Sequence, residues 1–599
     1  MLQEIVRLRT VFFLKQFTNR IVYMLKCKLT LALLGGMKMI SGAELVVKAL
    51  IDEKVDVCFA YPGGQAIDLF DALYQRKEFR VILPRHEQGL IHAADGYARS
   101  TGKVGVCLVT SGPGATNLIT GIATAGYDSS PLVCITGQVS TQLIGKDAFQ
   151  EVDMVGICRS IVKYAVTVRN REDLGKILKK AFVIAQSGKP GVVVVDIPKN
   201  IQQELGSEKY PKEVAIRGGQ KTQMIPLEKL ETAAEILEAA KKPVLLLGGG
   251  VHRARAYKEI AAFIEVYNLP VISTIMGKGS LPSNHPNYIG NVGIHGSYAA
   301  NQAILNSDVL LALGTRLNDR VTGNAAVFCP FTKLIHVDID PATIDKNVDT
   351  QIGLVGDIKE ILPKITYMLY SKNHEKWLQE IKNKDLLLPV HMKEVGLTPE
   401  KIIQKINEHF SNAIVVTDVG QNQLWTTQFL EVTKERQLLT SGGLGTMGFG
   451  FPASIGAKLG NLKKDVLTIT GDGGFQMNLQ ELATVMLEKI PIIICIFNNE
   501  SLGNVRQWQE MFYDKRYSYT KLSEDGMSYL PDFIALGRSY GVDGIRITDE
   551  EELDHAFIRA KGAKNQPFIL EFMLRTEQKV LPIVPPGQGL KEMITYADN

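Results

Sequence analysis

Short runs of aliphatic and β-branched residues alternate with amphipathic stretches along this chain, the pattern of parallel strands covered by helices on both faces. Three blocks share this grammar. The first holds VDVCFAYPGG, RVILPRHEQG, VGVCLVTSGPG and LVCITGQ, and closes with GVVVVDIP before a polar stretch near 202–225. The second holds KPVLLLGGG, LPVISTIMG, DVLLALGTR and KLIHVDID, then loses its pattern in a charged stretch at about 371–396. The third begins near LTPEKIIQKI and holds AIVVTDVG, VLTITGDG, IIICIFNN and PFILEF. These blocks predict an α/β protein of three doubly wound parallel-sheet domains, at 37–203, 204–385 and 396–599.

The stretch MISGAELVVKAL places Ser41 at a helix N-cap with Glu44 three residues on, so folding is expected to begin near Met37 or Met39. Residues 1–36 are basic and apolar, but no uninterrupted apolar span reaches the roughly 18 residues of a transmembrane helix. A transit peptide fits this leader in part, and a start assigned too far upstream is the alternative. Either reading predicts a disordered leader.

At 599 residues and 45% hydrophobic content the chain can bury several cores. Its formal charge of +4 arises in the leader, where six Lys/Arg face the single Glu4; the remainder carries about −1. Charge therefore points to no nucleic-acid or membrane partner. Seven scattered cysteines form no CxxC pair, the usage of reduced, buried thiols in an intracellular protein. A cytoplasmic location is expected, with import through the leader as the alternative.

Candidate chemistry concentrates between Gly471 and Asn499. VLTIT delivers Gly471-Asp472-Gly473 to one strand end and IPIIICIF delivers Asn498-Asn499 to the next, where ligands of open α/β sheets gather. Mg²⁺ takes hard oxygen donors and commonly keeps phosphate oxygens among them, so Asp472, Asn499 and a diphosphate form a suitable set. The glycines flanking Asp472 remove Cβ atoms where backbone must approach phosphate.

Glu87, in RVILPRHEQGLIHAADGYAR, follows a strand and opens a helix-like run. An acid there commonly just complements the helix dipole. A zinc HExxH reading fails at Leu90. GLGTMG has the form GxGxxG, yet only QLLTS precedes it and Pro452 follows, so it is not a dinucleotide fingerprint.

GDG followed after 24 residues by NN resembles the thiamine-diphosphate motif of the pyruvate-decarboxylase-like enzymes. From Met37 to the C-terminus the chain resembles, more narrowly, the catalytic subunits of acetohydroxyacid synthase, also called acetolactate synthase. The stretches that carry this are AYPGG, RHEQG, TSGPGATNL, GKDAFQEVDMVGICRSIVK, TDVGQ, GTMGFG, GDGGFQMN, LGNVRQWQE and LPIVPPGQGL.

The resemblance implies roles. Glu87 would hydrogen-bond the aminopyrimidine ring of thiamine diphosphate, favouring the tautomer whose nitrogen removes the thiazolium C2 proton. Gly64 would lie near the reacting carbonyl, Phe149, Gln150 and Lys163 would line the substrate channel, and Trp508 would restrict the acceptor pocket. Such a Trp can offer an extra methylene only about 1–3 kcal/mol of apolar contact. Met447 matches the apolar residue that bends the cofactor. Gln421, Asn422, Gly445, Thr446, Gly474, Leu502, Gly503 and Asn504 complete the implied thiamine contacts, with Ser501 joining Asp472 and Asn499 at the metal.

The middle block resembles the family's flavin domain. Implied FAD residues are Ser111, Arg159, Gly248, Gly249, Gly250, Thr274, Ile275, Gly293, Ile294, His295, Gly314, Arg316, Arg320, Asp338, Ile339, Asp357 and Ile358. Gly-rich turns after strands cradle pyrophosphate, and Arg316 and Arg320 suit phosphate or flavin oxygens. RLNDR stands where the FAD-binding branch carries R-F-D-D-R, departing at Leu317 and Asn318. Asn422 replaces a His, Asn504 a Met, and Pro586 a Ser of plant relatives.

Taken together, the resemblance implies an acetolactate synthase that condenses pyruvate with pyruvate or 2-oxobutanoate, opening valine, leucine and isoleucine biosynthesis. It implies a homodimer or tetramer sharing sites between subunits, and a small regulatory subunit. A pyruvate-oxidase-like enzyme and a catalytically silent paralogue are the rivals.

Overall fold

The computed structural model describes residues 38–596 except 75, 217–224, 389, 392–394, 525–526 and 529; the leader expected to be disordered lies outside them. The predicted helix start is formed by a reciprocal capping box. Ser41 Oγ accepts the Glu44 N–H at 3.1 Å, and Glu44 Oε2 accepts the Ser41 N–H at 2.8 Å.

Among the described residues the three blocks form three six-stranded, wholly parallel sheets. The first is built from Val57–Tyr61, Arg80–Ile82, Gly105–Val109, Leu132–Gln138, Tyr164–Thr167 and Val192–Pro198, in spatial order 2-1-3-4-6-5. The third repeats that order with Ile414–Thr417, Leu438–Leu439, Val466–Gly471, Ile493–Asn498, Asp543–Ile547 and Phe568–Met573. The middle sheet runs 3-2-1-4-5-6 through Pro243–Leu247, Val271–Ser273, Tyr288–Asn291, Val309–Leu313, Lys333–Asp338 and Ile352–Val355. That is the strand order of a dinucleotide-binding sheet. Helices cover both faces, so central strands such as Val192–Pro198 are buried throughout and read as continuous apolar runs.

The first and third sheets are joined by a close helix pair, Glu87–Thr101 against Gly450–Gly460. Leu90, Ile91, Ala94 and Tyr97 share one core with Phe451, Ile455, Leu459, Phe475 and Leu482. Glycine is required at the crossing. A Cβ on Gly96 would stand 1.9 Å from Ala453 O, and one on Gly456 would stand 1.7 Å from Ala93 O.

A buried ionic hub ties all three sheets together at the other end of the first helix. Arg99 grips Asp95 through two hydrogen bonds of 2.7 and 2.8 Å, and donates to Asp128 at 2.9 Å and Thr440 O at 2.7 Å. Arg253 donates to Asp128 O and Ser130 Oγ, and Arg436 to Arg99 O and His252 O.

The charged stretch at about 371–396, expected to be patternless, instead contains the helix Glu375–Leu387, which runs past the boundary drawn at 385. Only Trp377, Leu378 and Ile381 bury its inner face, too few apolar residues to stand out in so charged a run. The Trp377 indole N–H donates to Pro243 O at 3.1 Å. Among the described residues no helix is long and apolar enough to cross a membrane, and Cys58, Cys107, Cys134, Cys158, Cys329 and Cys495 are free and buried.

Candidate active site

In open α/β sheets ligands bind where the strand order reverses, at the carboxyl ends. In the third sheet that point lies between Ile414–Thr417 and Val466–Gly471. The chain leaves these strands into Gln421-Asn422 and into Asp472, which opens the short helix Asp472–Gln476. The buried Asp472 carboxylate accepts N–H groups of Gly473 at 2.7 Å and Ser501 at 3.3 Å. Burial still pushes it up to about 7, because these donors offset only part of the lost hydration.

Asn499 donates its amide N–H to Gln421 Oε1 at 3.0 Å, leaving its amide oxygen for another partner. The Asn422 amide nitrogen lies 3.4 Å from where a Gly471 Cβ would stand. Asn422 and Asn504 each bury an amide oxygen without a partner, the kind of atom a ligand or bound water satisfies. Leu502 and Met447 flank Gly473, at 2.9 and 3.7 Å from its Cβ position. Gly503 packs so tightly on Gln421 that a Cβ would meet Oε1 at 2.0 Å. The Ser501 hydroxyl is committed to Thr520 O at 2.9 Å. Gly445 is left-handed (φ 71°), and Thr446 Oγ1 lies 2.7 Å from Thr124 Oγ1 of the first block.

The equivalent reversal in the first sheet lies between Val57–Tyr61 and Gly105–Val109. Glu87 opens the helix Glu87–Thr101, is 9% exposed, and accepts the Asn117 amide at 2.9 Å. Next to Gly64, the Gln65 N–H donates to Thr110 Oγ1 at 3.2 Å. Gln150, itself left-handed (φ 62°), packs on Gly112, its Cβ 2.9 Å from where a Gly112 Cβ would be. Gln65, Glu87 and Gln150 thus contact the segment 110–117, which includes the short helix Pro113–Thr116, and Gly64 precedes Gln65. Phe149 stands out at 82% exposure. Lys163 turns elsewhere: it donates to the Ile184 and Ser187 carbonyls at 2.5 Å each, capping the helix Leu174–Gln186, and burial pushes it down to about 8. Trp508 is half-buried on the helix Gly503–Phe512, edge-on to Phe512 at 5.8 Å. Among the described residues no hydrogen bond joins Gly64, Glu87 or Gln150 to Asp472 or Asn499.

A cavity of about 450 Å³ opens at the reversal point of the middle sheet, between Pro243–Leu247 and Val309–Leu313. Its walls include Gly249, Gly250, Thr274, Ile275, Ile294, His295, Gly314, Arg316, Arg320, Asp338, Ile339, Asp357 and Ile358. Gly248 and Gly293 lie behind the wall. There they let backbones close up, a Gly248 Cβ meeting Gly314 O at 2.2 Å and a Gly293 Cβ meeting Arg320 O at 2.1 Å. Ser111 and Arg159 do not line the cavity; Ser111 Oγ is buried without a partner and Arg159 is exposed.

Flanking blocks also contribute walls that sequence reading missed: Tyr127, Asp128 and Lys189 from the first, Gln423 and Thr427 from the third. Arg316 lies over the Tyr127 ring at 5.8 Å. Burial pushes Asp338 up to about 6, His295 down to about 4 and Arg253 down to about 10. Such junction residues follow no local spacing.

Two further buried carboxylates went unassigned. Asp418, inside TDVGQ, accepts the N–H groups of Val419 at 2.8 Å and of Gly448 and Gly450 at 3.0 Å, and burial pushes it up to about 6. Glu481, inside NLQEL, reaches into the first block. TDVGQ contains the first, and the second lies three residues beyond GDGGFQMN.

Comparison with known proteins matches all three blocks. Residues 40–157, 230–365 and 418–572 match the thiamine pyrophosphate enzyme N-terminal TPP binding domain, central domain and C-terminal TPP binding domain. The probable acetolactate synthase large subunit of Methanocaldococcus jannaschii is 44% identical over 569 residues, covering 92% of this chain and 95% of that protein. The acetolactate synthase isozyme 3 large subunit of Escherichia coli K12 is 41% identical over 573 residues, covering 93% and 99%. The acetolactate synthase large subunit of Corynebacterium glutamicum is 41% identical over 566 residues, covering 93% and 90%. With three matched domains in order and this identity across nearly its whole length, the chain belongs to the acetolactate synthase large-subunit family of thiamine pyrophosphate enzymes.

Proposed function

We propose that the chain condenses two 2-oxo acids: pyruvate loses CO₂ and its two-carbon remnant joins a second pyruvate, giving 2-acetolactate, or 2-oxobutanoate, giving 2-aceto-2-hydroxybutanoate. The observation that carries this reading is the pair of half-sites at matching reversal points of two sheets with one strand order, Glu87 in one and Asp472 in the other.

Bound thiamine diphosphate supplies a carbon that adds to a 2-oxo acid and holds the electron pair left by decarboxylation. Asp472 and the Asn499 amide oxygen are suited to Mg²⁺, whose charge relieves the buried carboxylate. Asn422 lies over the Gly471 backbone where it can reach a diphosphate, and its amide can turn to present N–H instead of oxygen. Glu87, oriented by Asn117, holds the proton for the cofactor's ring nitrogen. Met447 and Leu502 supply apolar surface beside Gly473, and Trp508 bounds the acceptor pocket.

FAD fits the middle cavity. Arg253, Arg316, Arg320 and Lys189 match a pyrophosphate in charge, and Asp338 at a strand end can accept a sugar hydroxyl. Its role is structural, since the cavity's walls come from all three blocks. The free buried cysteines support a reducing, cytoplasmic setting.

A complete site forms across a dimer interface, the Glu87 half of one subunit facing the Asp472 half of the next. Exposed apolar side chains beside each half support this: Leu143, Phe149 and Ile157 near the first, Met477 and Val505 near the second. A tetramer is the larger assembly this surface permits, and a small regulatory subunit accords with relatives named as large subunits.

Hybrid dimers test the shared site. Glu87→Gln and Asp472→Asn chains are each expected to be inactive alone. If sites are shared, a mixed dimer carries one doubly altered and one intact site and recovers about half the activity. No recovery in a purified mixed dimer refutes it.

A further inference from the structure

We propose that Glu481 is a positioning residue for Glu87: it reaches from the diphosphate-binding block into the turn preceding the helix Glu87–Thr101 and fixes the direction in which Glu87 enters the site. The inference rests on the role given to Glu87 above.

The geometry is specific. Glu481 is fully buried, although it lies only nine residues after Asp472 on the same stretch. Its two oxygens accept the backbone N–H of Arg85 at 3.0 and 3.1 Å, and the His86 N–H also bonds to it. Thr484 Oγ1 donates to Oε2 at 2.6 Å and so fixes the carboxylate's rotation. Room for the carboxylate is made by Gly89, where a Cβ would stand 2.5 Å from Glu481 Oε1. Three of the five residues in RHEQG thus meet Glu481. Arg85 and His86 give their backbone N–H groups to Glu481, and Gly89 vacates its place. His86 also caps the helix itself, its Nδ1 accepting the Gln88 N–H at 3.0 Å. Glu87 is left as the one side chain of this turn that is both buried and held by the neighbouring loop, through Asn117.

Physically, unpaired N–H groups before a buried helix need partners, and this block supplies none of its own for Arg85 and His86. A carboxylate from another domain meets that need and complements the helix dipole. The consequence is directional. The helix cannot rotate or slide against Gly450–Gly460 without breaking these bonds, so the Glu87 carboxyl is aimed by a residue that itself touches no substrate. Catalytic geometry is sensitive to such aim, a displacement of about 1 Å costing up to about 10²-fold.

The test measures hydrogen–deuterium exchange at the cofactor's C2 in the Mg²⁺ and thiamine diphosphate holoenzyme, by acid quench and NMR, alongside cofactor affinity. Glu481→Ala should slow exchange at least 30-fold while thiamine diphosphate affinity changes less than threefold; Glu481→Gln, which keeps an acceptor oxygen, should recover to within about fivefold of wild type. In steady state kcat should fall with KM for pyruvate unchanged. Should Glu481→Ala fail to fold, Thr484→Val, which frees the carboxylate to rotate, should slow exchange about 3- to 10-fold. Wild-type exchange in a folded Glu481→Ala, or in Thr484→Val where that protein does not fold, overturns the proposal. Equal loss of cofactor binding and exchange also overturns it, by making Glu481 a general structural residue. Glu87→Gln, measured in parallel, keeps the two readings apart: if it exchanges normally, the assignment of Glu87 fails first.

Discussion

Replacing Gly456 with Ala adds one methyl group where the helices Glu87–Thr101 and Gly450–Gly460 cross. That methyl would stand 1.7 Å from Ala93 O, against the 3.0 Å that real Cβ atoms keep, so the backbones must part by roughly 1 Å. Neither neighbour is a flexible side-chain tip. Opening a packed interface by 0.5–1 Å forfeits about a quarter to a half of each contact's dispersion energy, and here the core shared by Leu90, Ile91, Tyr97, Phe451, Ile455 and Phe475 is affected. Overpacking costs about 1–3 kcal/mol, with rigid backbone at the upper end, and the better helix propensity of Ala returns about 1 kcal/mol. The net expectation is destabilisation of about 2 kcal/mol, or about 4–8 °C in Tm for domains of this size.

Function should suffer with it, since the first helix carries Glu87 and the contact of Thr124 with Thr446 spans the same junction. We expect at least a tenfold rise in the thiamine diphosphate concentration giving half-maximal acetolactate formation, measured with thermal scans at one fixed rate. Gly562→Ala is the control: it ends the helix Leu553–Gly562 and its Cβ would meet nothing within 4 Å, so stability should hold or rise slightly. A Gly456→Ala protein as stable and as cofactor-avid as wild type would refute the reasoning.

Asp472→Asn should remain folded but weaken Mg²⁺–thiamine diphosphate binding by about 2–4 kcal/mol, roughly 30- to 1000-fold by calorimetric titration, since a buried charge pair loses one partner; unchanged affinity would remove Asp472 from the metal site. Arg316→Ala should weaken FAD about 5- to 30-fold in a fluorescence titration, the loss of one or two charge-assisted hydrogen bonds; undiminished flavin affinity would argue for another occupant. Asp196 is raised to about 6 by burial, which outweighs its hydrogen bonds from Thr136, Gln138 and Thr167. Its folded value exceeds the unfolded one, so the folded chain keeps this proton longer and its contribution to stability falls as pH rises from about 4 to about 6, by at most about 3 kcal/mol. The stability difference between Asp196→Asn and wild type should therefore grow across that window and then level off, as read by denaturant unfolding; a difference independent of pH would contradict the assignment.

Much of this fold was legible because parallel strands buried on both faces leave continuous apolar runs, as GVVVVDIP and IPIIICIF do. The helix Glu375–Leu387 escaped because three apolar residues suffice to seat it on a sheet already covered elsewhere. In the candidate site, Asp472, Asn499 and Glu87 stood out as polar groups at strand ends. Gln150 came with Glu87 through resemblance, whereas Lys163, from the same matching stretch, folds back onto a helix terminus. Glu481 and the cavity walls Tyr127, Asp128, Gln423 and Thr427 act across domain boundaries, and no local periodicity marks a residue whose partner lies hundreds of positions away. Spacing reports which residues share an element; it is silent on what two elements present to each other.

The most direct test is a pyruvate-only assay of purified protein, stripped of cofactors and then resupplied with Mg²⁺, thiamine diphosphate and FAD in all combinations. The product is read as 2-acetolactate after acid conversion to acetoin. Acetolactate is expected only when all three are present, and none is expected with Glu87→Gln. Release of CO₂ without acetolactate, or oxygen uptake stoichiometric with pyruvate, would contradict this expectation.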